Sequence, residues 1–99
     1  MVRRIIWSAK AQQERKDILQ YWTKRNKSKT FSRKLSLQFN EAINLIARSP
    51  NAGHITPREN VRVKIVRDYL IIYKIEPASI NILSIFDGRR NPEEFNKRL

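Results

Sequence analysis

Four cationic side chains in the second half of the chain have the types and spacing of an anion-binding surface. Arg62 and Lys64 lie two residues apart in an apolar run, and strand side chains alternate with period two, so both project from one face. Arg89 and Arg90 directly follow Gly88, which permits a sharp turn. If the strands that carry the two pairs lie near each other, these four cations line one surface.

Two titratable side chains precede them, in the loop-like stretch 51–60. His54 is the only histidine of the chain, and its usual pKa suits a general base. A lone histidine in a loop without an orienting partner is nevertheless more often a surface residue. Glu59, next to the basic run, is the better candidate for proton transfer, although an exposed loop carboxylate is the plainer interpretation. Neither residue predicts an active site by itself.

The elements that position the cations are three short apolar runs. They cover Val61–Val66, Tyr69–Ile75 and residues 80–86, and they are rich in Val, Ile, Tyr and Phe, as β-strands are. The connections are short enough for hairpins, which predicts a three-stranded antiparallel meander. In the first strand the valines and Ile65 alternate with the cations, so one face is expected to pack and the other to be cationic.

The first half of the chain predicts a further strand over residues 3–7 and then two helices. Ser8 is a good N-cap for the first helix, and the second ends at Ser49–Pro50, because a residue before proline is disfavoured in helical conformation. Pro92 predicts a short terminal helix held by Phe95 and Leu99. The fold class is α+β in one domain over residues 1–99, with the helical hairpin covering one face of the sheet. The apolar stripes of the two helices are Ala11, Ile18, Leu19 and Trp22, then Phe31, Leu35, Phe39, Ala42, Ile43 and Ile46.

Charge is the strongest feature of the composition. The 99 residues carry 21 Lys and Arg against 9 Asp and Glu, a net charge of +12, which favours a polyanionic partner. Residues 1–34 hold 11 basic and 2 acidic groups, so most of the excess lies in the first helix and the connection after it. A solvated basic surface is the plainer interpretation of the cations in 24–34. Nucleic acid and an acidic protein both remain open as partners.

The composition also excludes several classes of protein. There is no cysteine, hence no disulfide framework and no thiolate metal site. No apolar stretch approaches the roughly 20 residues of a membrane span, and the amino terminus is too short and polar for a signal peptide. We therefore expect a cytoplasmic protein without a metal, cofactor or membrane partner.

The order of several short motifs resembles the RelE/ParE toxin superfamily over nearly the whole chain. These motifs are Ile6-Trp7-Ser8 before the first helix, residues 49–53 (SPNAG) before the sheet, residues 61–64 (VRVK), residues 69–73 (YLIIY) and residues 85–92 (IFDGRRNP). The resemblance implies a RelE/ParE-like fold and a toxin of a type II toxin–antitoxin pair, such as a ParE-like plasmid stabilisation protein. It also implies an antitoxin that wraps the toxin with a helical or extended segment. Members either cleave mRNA on the ribosome or poison DNA gyrase, and fold alone does not decide between these activities.

The resemblance also assigns candidate roles to residues. Arg62 and Lys64 match the basic positions that ribonucleolytic members use, and Arg90 matches their arginine after the last strand. The family's third arginine is Leu70 here, and the tail has Phe95 but neither a tyrosine nor a histidine–tyrosine pair. RNA cleavage through the 2′-hydroxyl needs proton transfer and cations on the phosphorane, so these departures disfavour efficient ribonuclease chemistry.

Three functions therefore follow. The first is a ParE-like toxin that binds a protein target, with DNA gyrase as the leading candidate. The second is a RelE-like, metal-independent and ribosome-dependent mRNA endoribonuclease, with Arg62, Lys64 and Arg90 as catalytic residues and Glu59 or a lysine of lowered pKa as base. The third is a nucleic-acid-binding module without toxicity. The target-binding surface is expected to comprise Arg62, Lys64, Arg67, Arg89 and Arg90.

Overall fold

The first half of the chain forms a strand and a helical hairpin, and the second half supplies most of a sheet. The computed structural model describes residues 2–89. The predicted α+β fold is confirmed, while the predicted terminal helix around Pro92, Phe95 and Leu99 lies outside the described residues. The elements are β1 (Arg4–Trp7), α1 (Ala9–Asn26), α2 (Thr30–Arg48), a 3-10 turn (Pro50–Ala52), β2 (His54–Ile55), β3 (Val61–Val66), β4 (Tyr69–Ile75) and β5 (Ser79–Asp87).

The sheet has five strands in the order β1-β5-β4-β3-β2. The predicted meander is confirmed, since β4 pairs antiparallel with both β3 and β5. The amino-terminal strand β1 joins the far side of β5 in parallel, with Ile5 opposite Ile80 and Trp7 opposite Ile82. The stretch 51–60 was expected to be a loop, but His54 and Ile55 pair with β3 as β2. Two residues are too few to give an alternating pattern, so the sequence carries no signal for this strand.

The helices begin and end where local signals place them. The Ser8 hydroxyl accepts a hydrogen bond from the Ala11 amide at 2.9 Å and donates one to the Leu83 carbonyl at 3.1 Å. The cap therefore also fixes the start of α1 to β5. At the other end Lys27 adopts a left-handed conformation, with φ of 50°. The helix α2 ends at Arg48, two residues before Pro50.

The main core lies between the helical hairpin and one face of the sheet. The predicted apolar stripes are confirmed, because Leu35, Phe39 and Ile46 are fully buried and Ile18, Leu19 and Trp22 pack against the same cluster. The sheet contributes Tyr69, Ile71 and Tyr73 from β4, and Ile80, Ile82 and Ile85 from β5.

The opposite face of the sheet carries a second apolar cluster, formed by Val61, Val63, Ile72 and Phe86. Val61 and Val63 are therefore buried as expected, but away from the helices, and Ile65 in the same phase is 49% exposed. The prediction of one packed face and one cationic face is wrong for this sheet, because apolar clusters lie on both of its faces.

The carboxyl-terminal part of β5 extends past the end of β1, and Glu14 of α1 covers it. One carboxylate oxygen, Oε1, accepts hydrogen bonds from the Ile85 amide at 3.2 Å and the Ser84 hydroxyl at 2.9 Å. An unpaired strand edge exposes backbone donors that favour pairing with another chain. Glu14 occupies one such donor and ties α1 to the sheet.

Candidate functional site

Arg62 lies on the helix-side face of β3, where the sheet approaches the loop after α2. In the register it is opposite Tyr73. Its guanidinium donates hydrogen bonds to the carbonyl oxygens of Gly53 at 2.9 Å and Asn51 at 3.4 Å. Part of its donor set is therefore used to hold the loop, and the half-buried guanidinium has a fixed place beside it.

Tyr73 and Gly53 form the support for this arginine. The Tyr73 hydroxyl donates to the Pro50 carbonyl at 2.6 Å and accepts from the Gly53 amide at 3.0 Å. A Cβ on residue 53 would lie 2.4 Å from the same hydroxyl, so glycine is required by close approach. Burial raises the pKa of Tyr73, while the Gly53 amide and the charge of Arg62 act in the opposite direction.

The hydroxyls of Tyr69 and Tyr73 are both bound within the protein. Tyr69 accepts a hydrogen bond from the Trp22 indole at 2.6 Å. Tyr73 is completely buried. The bonding of Tyr73 to Pro50 and Gly53 was missed in the sequence, because a bond to a backbone group some 20 residues away leaves no signal in residue type.

Lys64 lies one step along the same face, opposite Ile71. Two strand residues span about 7 Å, so Arg62 and Lys64 are neighbours, as the alternation predicted. Among residues 2–89 no ion pair involves Lys64. The structure thus places these two cations next to each other on the helix-side face of β3. Whether they contact a target stays a prediction.

Arg67 and Arg89 lie together at the other end of the sheet, at the β3–β4 turn. The turn rotates Arg67, whose φ is 56°, toward α2. Its guanidinium lies 5.3 Å from the centre of the Phe31 ring, and its Nε donates to Gln38. Strand alternation alone would place this side chain on the face of Val61 and Val63, and the turn conformation overrides that pattern.

Arg89 is held by two carboxylates at that end. Its guanidinium lies 3.3 Å from Asp68 and 3.3 Å from Asp87. The hydrogen bond to Asp87, followed by the charge of Asp68, raises the pKa of Arg89 above its usual value. Its positive charge is thus largely compensated within the fold.

The structure spreads the predicted cations along the sheet. Arg62 and Ile82 of β5 both pair with Tyr73 of β4, so they lie at the same height in the sheet. Arg89 lies roughly 20 Å from that height along the strand direction, and Lys64 lies between the two, opposite Ile71. Whether Arg62, Lys64 and Arg89 line one surface stays a prediction. Arg90 lies outside the described residues.

The remaining candidates lie away from a built site. His54 is exposed in β2, and Glu59 is exposed in the following loop. Leu70, at the position of the family's third arginine, pairs with Ile65 and Phe86 and packs on the second apolar cluster, on the face opposite Lys64.

No group of three or more His, Cys, Asp or Glu side chains within residues 2–89 is arranged to hold a metal ion. None of the helices in the same range is long and apolar enough to cross a membrane.

A family model for the "ParE toxin of type II toxin-antitoxin system, parDE" matches residues 5–92. The chain belongs to the ParE toxin family. A solved structure with the description "Chromosomal ParDE TA system from P. aeruginosa" is similar to this ParE-family chain, with a TM-score of 0.73 and 16% sequence identity. The alignment covers 87% of this chain and 96% of that one, and at this identity it supports the fold alone. No curated protein matches.

Proposed function

We propose that this ParE-family toxin arrests growth by binding a protein target, with DNA gyrase as the first candidate, and that a cognate antitoxin neutralises it. The observation that carries the proposal is the match of the ParE toxin model to residues 5–92. The departures from ribonuclease chemistry support the same choice. Gyrase is a cytoplasmic enzyme, so the proposed place of action is the cytoplasm.

The contact surface in this proposal includes Arg62 and Lys64 on the helix-side face, with Arg67, Arg89 and Arg90 at the other end of β3 and beyond β5. Lys64 is the best probe, because no described residue pairs with its charge. Arg89 is the poorest probe, since its loss would also break the contacts to Asp68 and Asp87.

A RelE-like endoribonuclease is the second candidate, and the adjacent Arg62 and Lys64 favour it. Two cations about 7 Å apart along one face are able to hold a phosphate. Three features weigh against it. Leu70 supplies no third cation, Arg62 is partly engaged by the loop carbonyls, and the Tyr73 hydroxyl is committed to Pro50 and Gly53 with a raised pKa.

Two assays separate these activities. The purified full-length chain is expected to inhibit DNA supercoiling by purified gyrase, and the inhibition should disappear when the antitoxin is added first. In a translation extract, primer extension is expected to show no codon-linked cuts in mRNA. Cuts at ribosomal A sites together with uninhibited gyrase would replace the proposed activity with the ribonuclease.

Growth measurements test the surface itself. When the chain is expressed without antitoxin, Lys64→Ala and Arg90→Ala are each expected to relieve growth arrest, because each removes a cation from the contact surface. Lys74→Ala is the matched control for Lys64, since Lys74 belongs to the same sheet but projects from the opposite face and pairs with Glu76 at 3.5 Å. Undiminished toxicity of both Lys64→Ala and Arg90→Ala at equal protein levels would rule out this surface.

A further inference from the structure

Six exposed cations surround the turn between α1 and α2, and the sheet surface does not account for them. This hairpin-end cluster comprises Lys24, Arg25, Lys27, Lys29, Arg33 and Lys34, all exposed. No acidic residue lies between positions 24 and 34. The Thr23 hydroxyl donates to the Ser32 hydroxyl at 2.8 Å, which holds the two helix ends together. The six charges are therefore concentrated at one end of the hairpin.

The charges of the cluster are not compensated by the described part of the fold. The ion pairs within residues 2–89 join Lys74 to Glu76, and Arg89 to Asp68 and Asp87. Arg25 donates a long hydrogen bond, at 3.5 Å, to the uncharged Tyr21 hydroxyl. The cluster thus differs from Arg89, whose charge the protein itself balances.

Local helix structure explains only part of the cluster. Lys24 and Arg25 lie in the last turn of α1, where cations favour the helix dipole, but Lys29, Arg33 and Lys34 surround the start of α2, where they oppose it. No acidic residue lies in the first turn of α2, and Lys29 makes no side-chain cap. Lys27 occupies a left-handed conformation that glycine adopts at less cost. The cations at three of the six positions, all at the start of α2, therefore oppose the local helix dipole and do not stabilise the fold.

The surroundings of the cluster indicate which polyanion it fits. Protein interfaces have an apolar centre and are depleted in lysine, whereas the exposed large hydrophobic residues near this cluster are two single side chains at its margin, Tyr21 and Leu37. Single strands bind by stacking bases on exposed aromatic rings. Trp22 and Phe31 are partly buried and pack edge to face, 4.9 Å apart, which leaves Tyr21 as a single exposed ring beside the cluster and no row of rings on which successive bases could stack. Of the possible polyanions, one that is bound through its phosphates fits these cations best. Arg67, beside Phe31, adds one more cation next to the cluster.

We propose that the hairpin-end cluster binds the phosphate backbone of double-stranded DNA without reading its sequence. Lysine and arginine contacts to phosphates release condensed counterions, and they supply affinity without base specificity. This surface is distinct from Arg62 and Lys64, which lie on the sheet, and it does not depend on which target the toxin inhibits.

The test is the binding of a fluorescent duplex of about 20 base pairs to the full-length chain, measured by anisotropy from about 50 to 200 mM salt. One variant neutralises the cluster with Lys27→Gln, Lys29→Gln, Arg33→Gln and Lys34→Gln. The matched control removes the same charge from exposed positions elsewhere, with Arg4→Gln, Lys10→Gln, Lys16→Gln and Arg48→Gln. The two variants have equal net charge, so any difference in their DNA binding is due to where the removed charges lie.

The cluster variant is expected to bind at least about 10-fold more weakly near 0.1 M salt, and its slope of log K against log salt should shrink by about 3 to 4. The control slope should change by less than about 1. Thermal melting checks folding, and the cluster variant should melt no lower than the parent chain, because it relieves the unfavourable charges at the start of α2.

Two outcomes would overturn the proposal. Equal loss of binding in the folded cluster and control variants would show that only net charge matters. Tighter binding of a polyglutamate chain than of the duplex, lost in the cluster variant, would assign the surface to an acidic protein instead.

Discussion

Tyr73 is the residue that couples the sheet to the loop after α2. Its hydroxyl bridges Pro50 and Gly53, and Gly53 in turn accepts the guanidinium of Arg62. The position of one predicted site residue thus depends on a buried hydroxyl that has no direct chemical role. Glycine at position 53 is part of the same arrangement, because a side chain there would displace the ring.

Tyr73→Phe is expected to lower the free energy of unfolding by roughly 1 to 3 kcal/mol at neutral pH, because it leaves the buried Gly53 amide without its acceptor. Urea denaturation measures the change. Tyr21→Phe, at an exposed tyrosine of α1, is the control and should change stability by less than about 0.5 kcal/mol. A loss of equal size in both variants would contradict the bridge.

The pH dependence gives a second signature of the same bridge. The pKa of Tyr73 is raised in the folded state, so above about pH 10 the unfolded chain loses this proton first. The contribution of the neutral hydroxyl is therefore present below about pH 10 and is lost as the pH rises toward the folded pKa. The free energy of unfolding between pH 8 and 11 should therefore fall less steeply with pH for Tyr73→Phe than for the parent chain.

At the scale of the element, the α1–α2 connection combines a well-formed turn with unfavourable residue types. The Ser28 amide donates to the Thr23 carbonyl at 3.2 Å, which closes the end of α1. This pattern usually places glycine in the left-handed position, whereas this chain has Lys27 with φ of 50°. The turn is thus set by its backbone bonds, and the lysine is tolerated there.

Lys27→Gly is expected to raise the free energy of unfolding by about 0.5 to 1 kcal/mol, because it removes the steric cost of a Cβ in the left-handed region. Lys27→Ala removes the same charge but keeps the Cβ, so it isolates the backbone term and should give no such gain. Chemical denaturation of the two variants measures the difference. Equal stability of the glycine and alanine variants would be inconsistent with the described turn.

At the scale of the whole molecule, the sheet order places β5, β4 and β3 inside and β1 and β2 at the edges. The helical hairpin covers one face, and a second apolar cluster forms on the other. The predicted cations are spread along this frame, with Arg62 beside the loop after α2, Lys64 in the middle of β3, and Arg67 and Arg89 at the β3–β4 turn. A target that contacts all of them must therefore span the sheet.

Native-state hydrogen exchange should reflect this order. Amides of β4 and the paired part of β5 are expected to exchange most slowly, through global unfolding, because they lie between other strands and under the helices. The amides of His54 and Ile55, in a two-residue edge strand, should exchange fastest among the strands. Protection of β2 equal to that of β4 would be incompatible with this sheet order.

The sequence by itself determined the elements and the family resemblance. The strand runs, the Ser8 cap and the end of α2 before Pro50 follow from period, capping and proline, all of which act over a few residues. The adjacency of Arg62 and Lys64 follows from strand alternation in the same way. The RelE/ParE resemblance rests on the order of the motifs from Ile6 to residues 85–92. The net charge follows from counting the charged residues.

Only the tertiary structure decided how these parts meet. Val61 and Val63 of β3 turn away from the helices, β1 joins β5 in parallel, and β2 forms where a loop was expected. The tertiary structure also separates Arg62 from Arg89 and turns Arg67 toward Phe31. The physical reason is that each outcome depends on pairing or packing between segments far apart in the chain. A local residue pattern does not indicate which distant segment it will contact.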